Sequence, residues 1–277
     1  MMIRKFNGIF MLSLLAAVAW SPAWAEPVAM VTDLTGDAQR GGESLSILSD
    51  LGVGDVVAVS EQSVVHVVYY AESREFVFRG PAEFEVGPAE PKTLSGAEPN
   101  SQSMMPEGEG SISTVGLAQA AMVMRAAPNE ARLELNFPVE TMLLEAPASF
   151  SWAELAAGIG YAFELTDGEG RSLLESIVNG TSLQLPAHID LKPGEYYTWS
   201  LETRLPDGRK FSSWASFSVA DEALKTRVND IRPGDDASVS RLVVFALWLE
   251  QNELLSEAQV YWARAGEVRP SLKSRVN

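Results

Sequence analysis

Between Val28 and Val219 the apolar residues fall in short runs rich in valine, phenylalanine, tyrosine and tryptophan, and glycine, proline or aspartate closes most of them. Beyond Asp235 they recur with a helical period. Runs of this length and composition make strands, so the chain reads as mainly β with helices confined to its end. The first cluster holds Val56 to Val59, Ser63 to Tyr70, Glu75 to Phe78 and Ala82 to Val86, with Arg79-Gly80-Pro81 as a turn. It predicts a small β-domain over residues 26–87.

The next stretch, 88–131, is rich in Pro, Gly, Ser and Glu and has few repeating apolar residues. It cannot bury enough surface to offset its ordering entropy, which predicts a mostly disordered linker. Within it, Ile112 to Arg125 fits a strand or a short helix equally. A second β unit is expected over 132–221, with about seven strands. Asp167-Gly168-Glu169-Gly170 and Pro206-Asp207-Gly208 supply hairpin turns, because glycine accepts the positive φ such turns demand. Over 235–272 the period becomes helical. Ser238 can cap a helix from Val239 to about Gln251, and Ser256 with Gln259 three residues on reads as a capping box for a second helix ending near Val268. The first of these helices is apolar nearly all round, so it must be covered on more than one side.

Three resemblances follow from these residues. Gly36, Leu51-Gly52-Val53-Gly54-Asp55, the Ser63 to Tyr70 strand and Phe78-Arg79-Gly80-Pro81-Ala82-Glu83-Phe84-Glu85-Val86 resemble the FecR-type domain of bacterial envelope proteins, except that Ala71-Glu72-Ser73-Arg74 stands where an Asp-Gly turn is frequent. Some proteins of that family relay signals through a cytoplasmic part and a membrane helix, and this chain offers neither. Leu191-Lys192-Pro193-Gly194-Glu195-Tyr196-Tyr197, with Phe150-Ser151-Trp152, is similar to a fibronectin type III-like sandwich, in which Tyr197 is the tyrosine-corner residue. Ala246, Ala258, Trp262, Ala265 and Pro270 resemble one tetratricopeptide-type repeat. A single such unit must dock on the sandwich, pair with a second copy or stack on another protein.

Residues 1–25 read as a secretory signal peptide. Arg4 and Lys5 precede the apolar run Ile9 to Ala19, and Ala23-Trp24-Ala25 places cleavage after Ala25. That run falls short of the about 20 residues that span a bilayer. A periplasmic or secreted protein with no stable membrane insertion after cleavage is expected. The 37 acidic residues outnumber 21 Lys and Arg, giving −16 overall, a balance that repels nucleic acid. With no cysteine, disulfides, thiolate metal sites and thiol nucleophiles are excluded.

Reactive clusters are sparse in the sequence. His66 and His188 are the two histidines, and neither has H-x-x-x-H, H-E-x-x-H or G-x-S-x-G company. Asp167-Gly168-Glu169-Gly170 lacks the alternating oxygen ligands of a calcium loop. No catalytic residue, metal site or cofactor is expected. The reading is a non-catalytic envelope adaptor or scaffold that binds a protein partner in the periplasm. Trp248 and Trp262 are its candidate partner-binding residues if either is exposed, and self-association through the hairpin is one outcome. The alternatives are a cell-wall or carbohydrate-binding module, which requires an exposed aromatic row, and an enzyme of unrecognised type.

Overall fold

The computed structural model describes residues 26–105 and 133–276. The expected signal peptide and the segment Ile112 to Arg125 lie outside the described residues.

The first unit contains β1 (Pro27–Thr35), β2 (Ala38–Arg40), β3 (Glu43–Ser44), β4 (Asp50–Gly52), β5 (Val56–Val59), β6 (Val64–Tyr69), β7 (Arg74–Arg79), β8 (Ala82–Val86), β9 (Pro91–Ser95) and β10 (Asn100–Ser103). They form two antiparallel sheets, β10-β7-β6-β1-β4 and β3-β2-β5-β8-β9. Val31, Val65 and Phe78 of the first meet Val57 and Phe84 of the second in one core, where the Phe78 and Phe84 rings stack at 3.8 Å. The tight entry from β1 to β2 turns on Gly36 at φ 78°, where a Cβ would sit 2.3 Å from Ser63 Oγ; that hydroxyl accepts the Asp37 N–H at 2.9 Å.

The unit does not end at residue 87, and the linker expected over 88–131 is corrected for its first part. β9 pairs with β8 and β10 with β7, and the chain then buries Met104 and Met105. Side chains of β10 are exposed throughout. Backbone pairing and two methionine anchors, rather than an apolar pattern, hold this stretch.

The second unit is a two-sheet sandwich. Its strands are β11 (Leu135–Phe137), β12 (Thr141–Leu143), β13 (Ser149–Trp152), β14 (Tyr161–Asp167), β15 (Ser172–Val178), β16 (Ser182–Gln184), β17 (Tyr196–Arg204) and β18 (Lys210–Val219). The sheets are β11-β13-β16 and β12-β18-β17-β14-β15. Phe150, Trp152, Phe163, Trp199 and Phe217 fill the space between them. The tyrosine corner closes, with Tyr197 Oη accepting the Lys192 N–H at 2.7 Å. The Asp167–Gly170 segment is a hairpin turn, its Asp167 carboxylate occupied by the N–H groups of Glu169 and Arg171 and by the Arg171 guanidinium.

Three helices follow: α1 (Glu222–Ile231), α2 (Val239–Gln251) and α3 (Leu255–Val268), then a 3-10 turn over Pro270–Arg275. Ser238 caps α2 by accepting the Arg241 N–H. The expected capping box at Ser256 is not formed, because α3 begins two residues earlier than that cap implies, behind Leu254, which has no side-chain cap. Every residue of α2 from Leu242 to Leu249 is buried. One flank of the hairpin lies on the outer face of the first unit at Met30, Val68 and Tyr70; Met142 and Leu144 of the sandwich pack against the same cluster. This is why β1 reads as a continuous buried run: Ala29 and Val31 face the β core while Met30 faces the helices.

Candidate functional site

His66 and Glu75 meet on the helix-covered face of the first unit. His66 Nδ1 donates to Glu75 Oε1 at 2.8 Å, Gln102 Nε2 donates to Glu75 Oε2 at 2.5 Å, and the buried Ser240 of α2 bonds both Glu75 and, at 2.6 Å, Thr32. Burial alone would push the Glu75 carboxyl up, but the hydrogen bonds from His66, Ser240 and Gln102 and the pull of His66 outweigh it and hold it below the usual carboxylate range. The order of the groups matters chemically. A nucleophilic triad needs the base between hydroxyl and carboxylate, whereas here the carboxylate lies between Ser240 and His66, and Ser240 is fully buried. The arrangement joins α2 to the sheet. His188 is exposed in the loop between β16 and β17, far along the chain from this node.

The two tryptophans expected as anchors are corrected: both are interior. Trp248 is 3% and Trp262 0% exposed. Trp248 stacks parallel to Phe245. Trp262 donates from Nε1 to Glu250 Oε1 at 2.8 Å under the Arg275 guanidinium, which also binds both Glu250 oxygens. Their hairpin is closed by its own chain, so neither ring has a free face to offer a partner.

Exposure is found instead on the outer face of the five-stranded sandwich sheet. Trp214 is 69%, Tyr196 62% and Ile177 72% exposed, and all three point away from the core by strand alternation. Registration places Trp214 opposite Ser200, Ser200 opposite Glu164 and Glu164 opposite Glu175. The neighbouring row is Ser212, Glu202, Ala162 and Ile177. Ala162, Glu164, Glu175, Ile177, Ser200 and Glu202 line a shallow groove of about 680 Å³. Lys210 neutralises Glu202 at 2.8 Å, but Glu164 and Glu175 face each other with no basic partner among the described residues. A second cleft, about 490 Å³, runs from Tyr196 and Ser216 past Glu140 to Glu250 and Glu253 at the hairpin turn. The sequence hid this surface because Trp214 and Tyr196 stand beside buried aromatics in equally apolar strands. The period-2 alternation through Tyr197, Trp199 and Leu201 was the available signal, since it sends Tyr196 to the other face.

Among the described residues no helix is long and apolar enough to cross a membrane, and no group of three His, Asp or Glu is placed to hold a metal ion. No family model matches the chain, and no curated protein matches it. Among solved structures, CopC from Methylosinus trichosporium OB3b is similar at 14% identity and a TM-score of 0.27, over 33% of this chain and 96% of that one. A likeness of that size carries no argument about fold or activity.

Proposed function

We propose that the chain is an exported, non-catalytic adaptor of a bacterial envelope, with a FecR-type first unit, and that it binds a protein partner through the outer face of its sandwich sheet. The observation that carries this is Trp214. Of the tryptophans in the described residues, Trp152, Trp199, Trp248 and Trp262 are buried and Trp214 alone is largely exposed. An exposed tryptophan costs solubility and is favoured where a partner covers it. The hairpin serves as internal bracing, and the sandwich face is the free surface. A photo-crosslinking residue at position 214 is expected to join the protein to one envelope component in cells, and Trp214→Ala to weaken recovery of that component with the fold unchanged by circular dichroism. Capture that is indifferent to Trp214→Ala would defeat the reading.

A cell-wall glycan is the second reading, favoured by one specific feature. Trp214 and Tyr196 share a face, separated by about four residues along the strand and one strand across, so roughly 14 Å, with the hydroxyls of Ser200, Thr198 and Ser216 between them. Planar rings flanking hydroxyl donors suit a saccharide. Retention on purified cell wall, lost with Tyr196→Ala, supports the glycan; no retention leaves the protein partner.

A further inference from the structure

We infer that the partner of this face is an extended polypeptide segment bearing lysine or arginine, added as a new strand along β15 with its basic side chains over Glu175 and Glu164. The inference rests on the adaptor reading above and gives the partner its chemistry.

Three observations converge on β15. It is an edge strand, paired on one side with β14 and, among the described residues, with no strand on the other. At seven residues it exceeds every other edge strand in the described structure, the next being β9 with five. The opposite edge of its own sheet, β12, is already in use, because Met142 N–H and Thr141 Oγ1 both donate to the Glu253 carbonyl of the hairpin. An open edge presents a row of backbone donors and acceptors that an extended segment completes, and the side chains beside the edge then decide which segment is accepted.

Those side chains are acidic and apolar. Directly opposed like charges destabilise a sheet, yet Glu164 stands opposite Glu175, Glu202 lies in the next row, and Ile177 is left 72% exposed beside them. A strand added outside β15 would place every second side chain next to Glu175 and Ile177. A basic residue at the first position and an apolar one at the second complement both. The same charges exclude a second copy of the chain. Glu175 is the middle residue of Ser172–Val178, so symmetric antiparallel pairing of two β15 strands would set Glu175 against its own copy and double the uncompensated charge.

The test uses the full-length protein and three synthetic seven-residue peptides: alternating Lys and Val with blocked ends, the same peptide with Glu for Lys, and the Lys peptide N-methylated at every second residue. Binding is read from anisotropy of a labelled peptide and, independently, from titration calorimetry. The Lys peptide is expected to bind, the Glu and N-methylated peptides not to bind, and added salt to weaken the complex. Glu164→Gln with Glu175→Gln is expected to weaken binding at least about tenfold while raising the melting temperature, because the opposed charges are gone. That pairing of readouts separates lost recognition from lost fold. Equal binding of Lys and Glu peptides, undiminished binding of the N-methylated peptide, or no binding at all overturns the inference. If the Lys peptide fails while crosslinking at position 214 still captures a Trp214-dependent protein, the basic-strand inference fails and the adaptor reading survives. A glycan on this face would appear as cell-wall retention that the Lys peptide cannot displace, which also overturns it.

Discussion

Two glutamates at the surfaces where the hairpin docks are driven in opposite directions by their surroundings. Glu75 is held ionised, as its partners His66, Ser240 and Gln102 overcome the cost of burial. Glu257 on α3 is pushed up, chiefly by burial, against weaker help from its own N–H, the Leu144 N–H and Arg232, and one of its carboxyl oxygens is buried without a partner. Linkage then gives opposite signs. The depressed Glu75 adds stability that is present above its unfolded value of 4.5 and is lost as pH falls through its lower folded value. The raised Glu257 adds stability that is full below 4.5 and is lost as pH rises through its higher folded value. Glu257→Gln is therefore expected to melt above wild type at pH 7, with the difference shrinking toward pH 4. Glu75→Gln is expected to melt below wild type at pH 7 and to show a shallower acid limb. Melting temperatures at several pH values check both, and parallel shifts at every pH would contradict the assignment. Neither behaviour was legible in the sequence, since His66 and Glu75 are nine residues apart on neighbouring strands and Ser240 arrives from a helix across the interface.

At the scale of elements, the end of α2 shows why some boundaries were readable and others not. The Leu254 N–H bonds the Leu249 carbonyl and the Glu253 N–H bonds that of Glu250, the pair of bonds that closes a helix through a left-handed residue. That residue is Glu253, at φ 60°, where glycine is the usual occupant. With no glycine to mark the stop, the span of α2 followed from Ser238 and the apolar run alone, and the cap of α3 was placed two residues late. Glu253→Gly is expected to stabilise the protein by about 1 kcal/mol, the order of the left-handed cost for a residue with a Cβ, provided the Glu253 carbonyl keeps its bonds to β12. The shift of the urea midpoint measures it, and a destabilised variant would contradict the argument. The strand Ala82–Val86 was legible to the residue because alternation and turn residues agree there. β9 and β10 were not, since they carry no apolar face. β15 was not, because its leucines are adjacent rather than alternate. α1 falls between the segments expected over 132–221 and 235–272 and was given no reading, although Asp221 caps it and Leu224, Val228 and Ile231 recur at helical spacing.

For the whole molecule, the hairpin is the part that makes two β units one structure. Its apolar cluster draws Met30, Val68, Tyr70, Met104 and Met105 from the first unit and Met142 and Leu144 from the second. Polar groups fix the docking on both sides. Arg269 binds both Asp33 oxygens at 2.7 and 3.1 Å and Thr35 Oγ1 at 3.0 Å, while the Glu253 carbonyl receives β12. Asp33 is largely buried at 8% exposure, so removing its partner leaves a poorly solvated charge at the interface. Breaking a pair of this kind costs about 3–5 kcal/mol when fully buried, and somewhat less here because Arg269 keeps 29% of its side chain in solvent. Arg269→Glu places a second negative charge against Asp33 and should loosen the hairpin from the first unit while leaving its bonds to the sandwich. Wild-type protein is expected to unfold in one transition because every unit shares the cluster; the variant is expected to show two, the first unit melting apart from sandwich plus hairpin. Calorimetry with fluorescence from Trp248 and Trp262 resolves this, since those rings report the hairpin directly. A single transition merely shifted in temperature would mean that the β units are coupled by contacts other than this docking. The proposed adaptor role, in which an acidic face of one unit is held at a fixed angle to the other, would depend on that coupling, so under that proposal the same variant should bind the Lys peptide as wild type does and still lose crosslinking to a partner that spans both units.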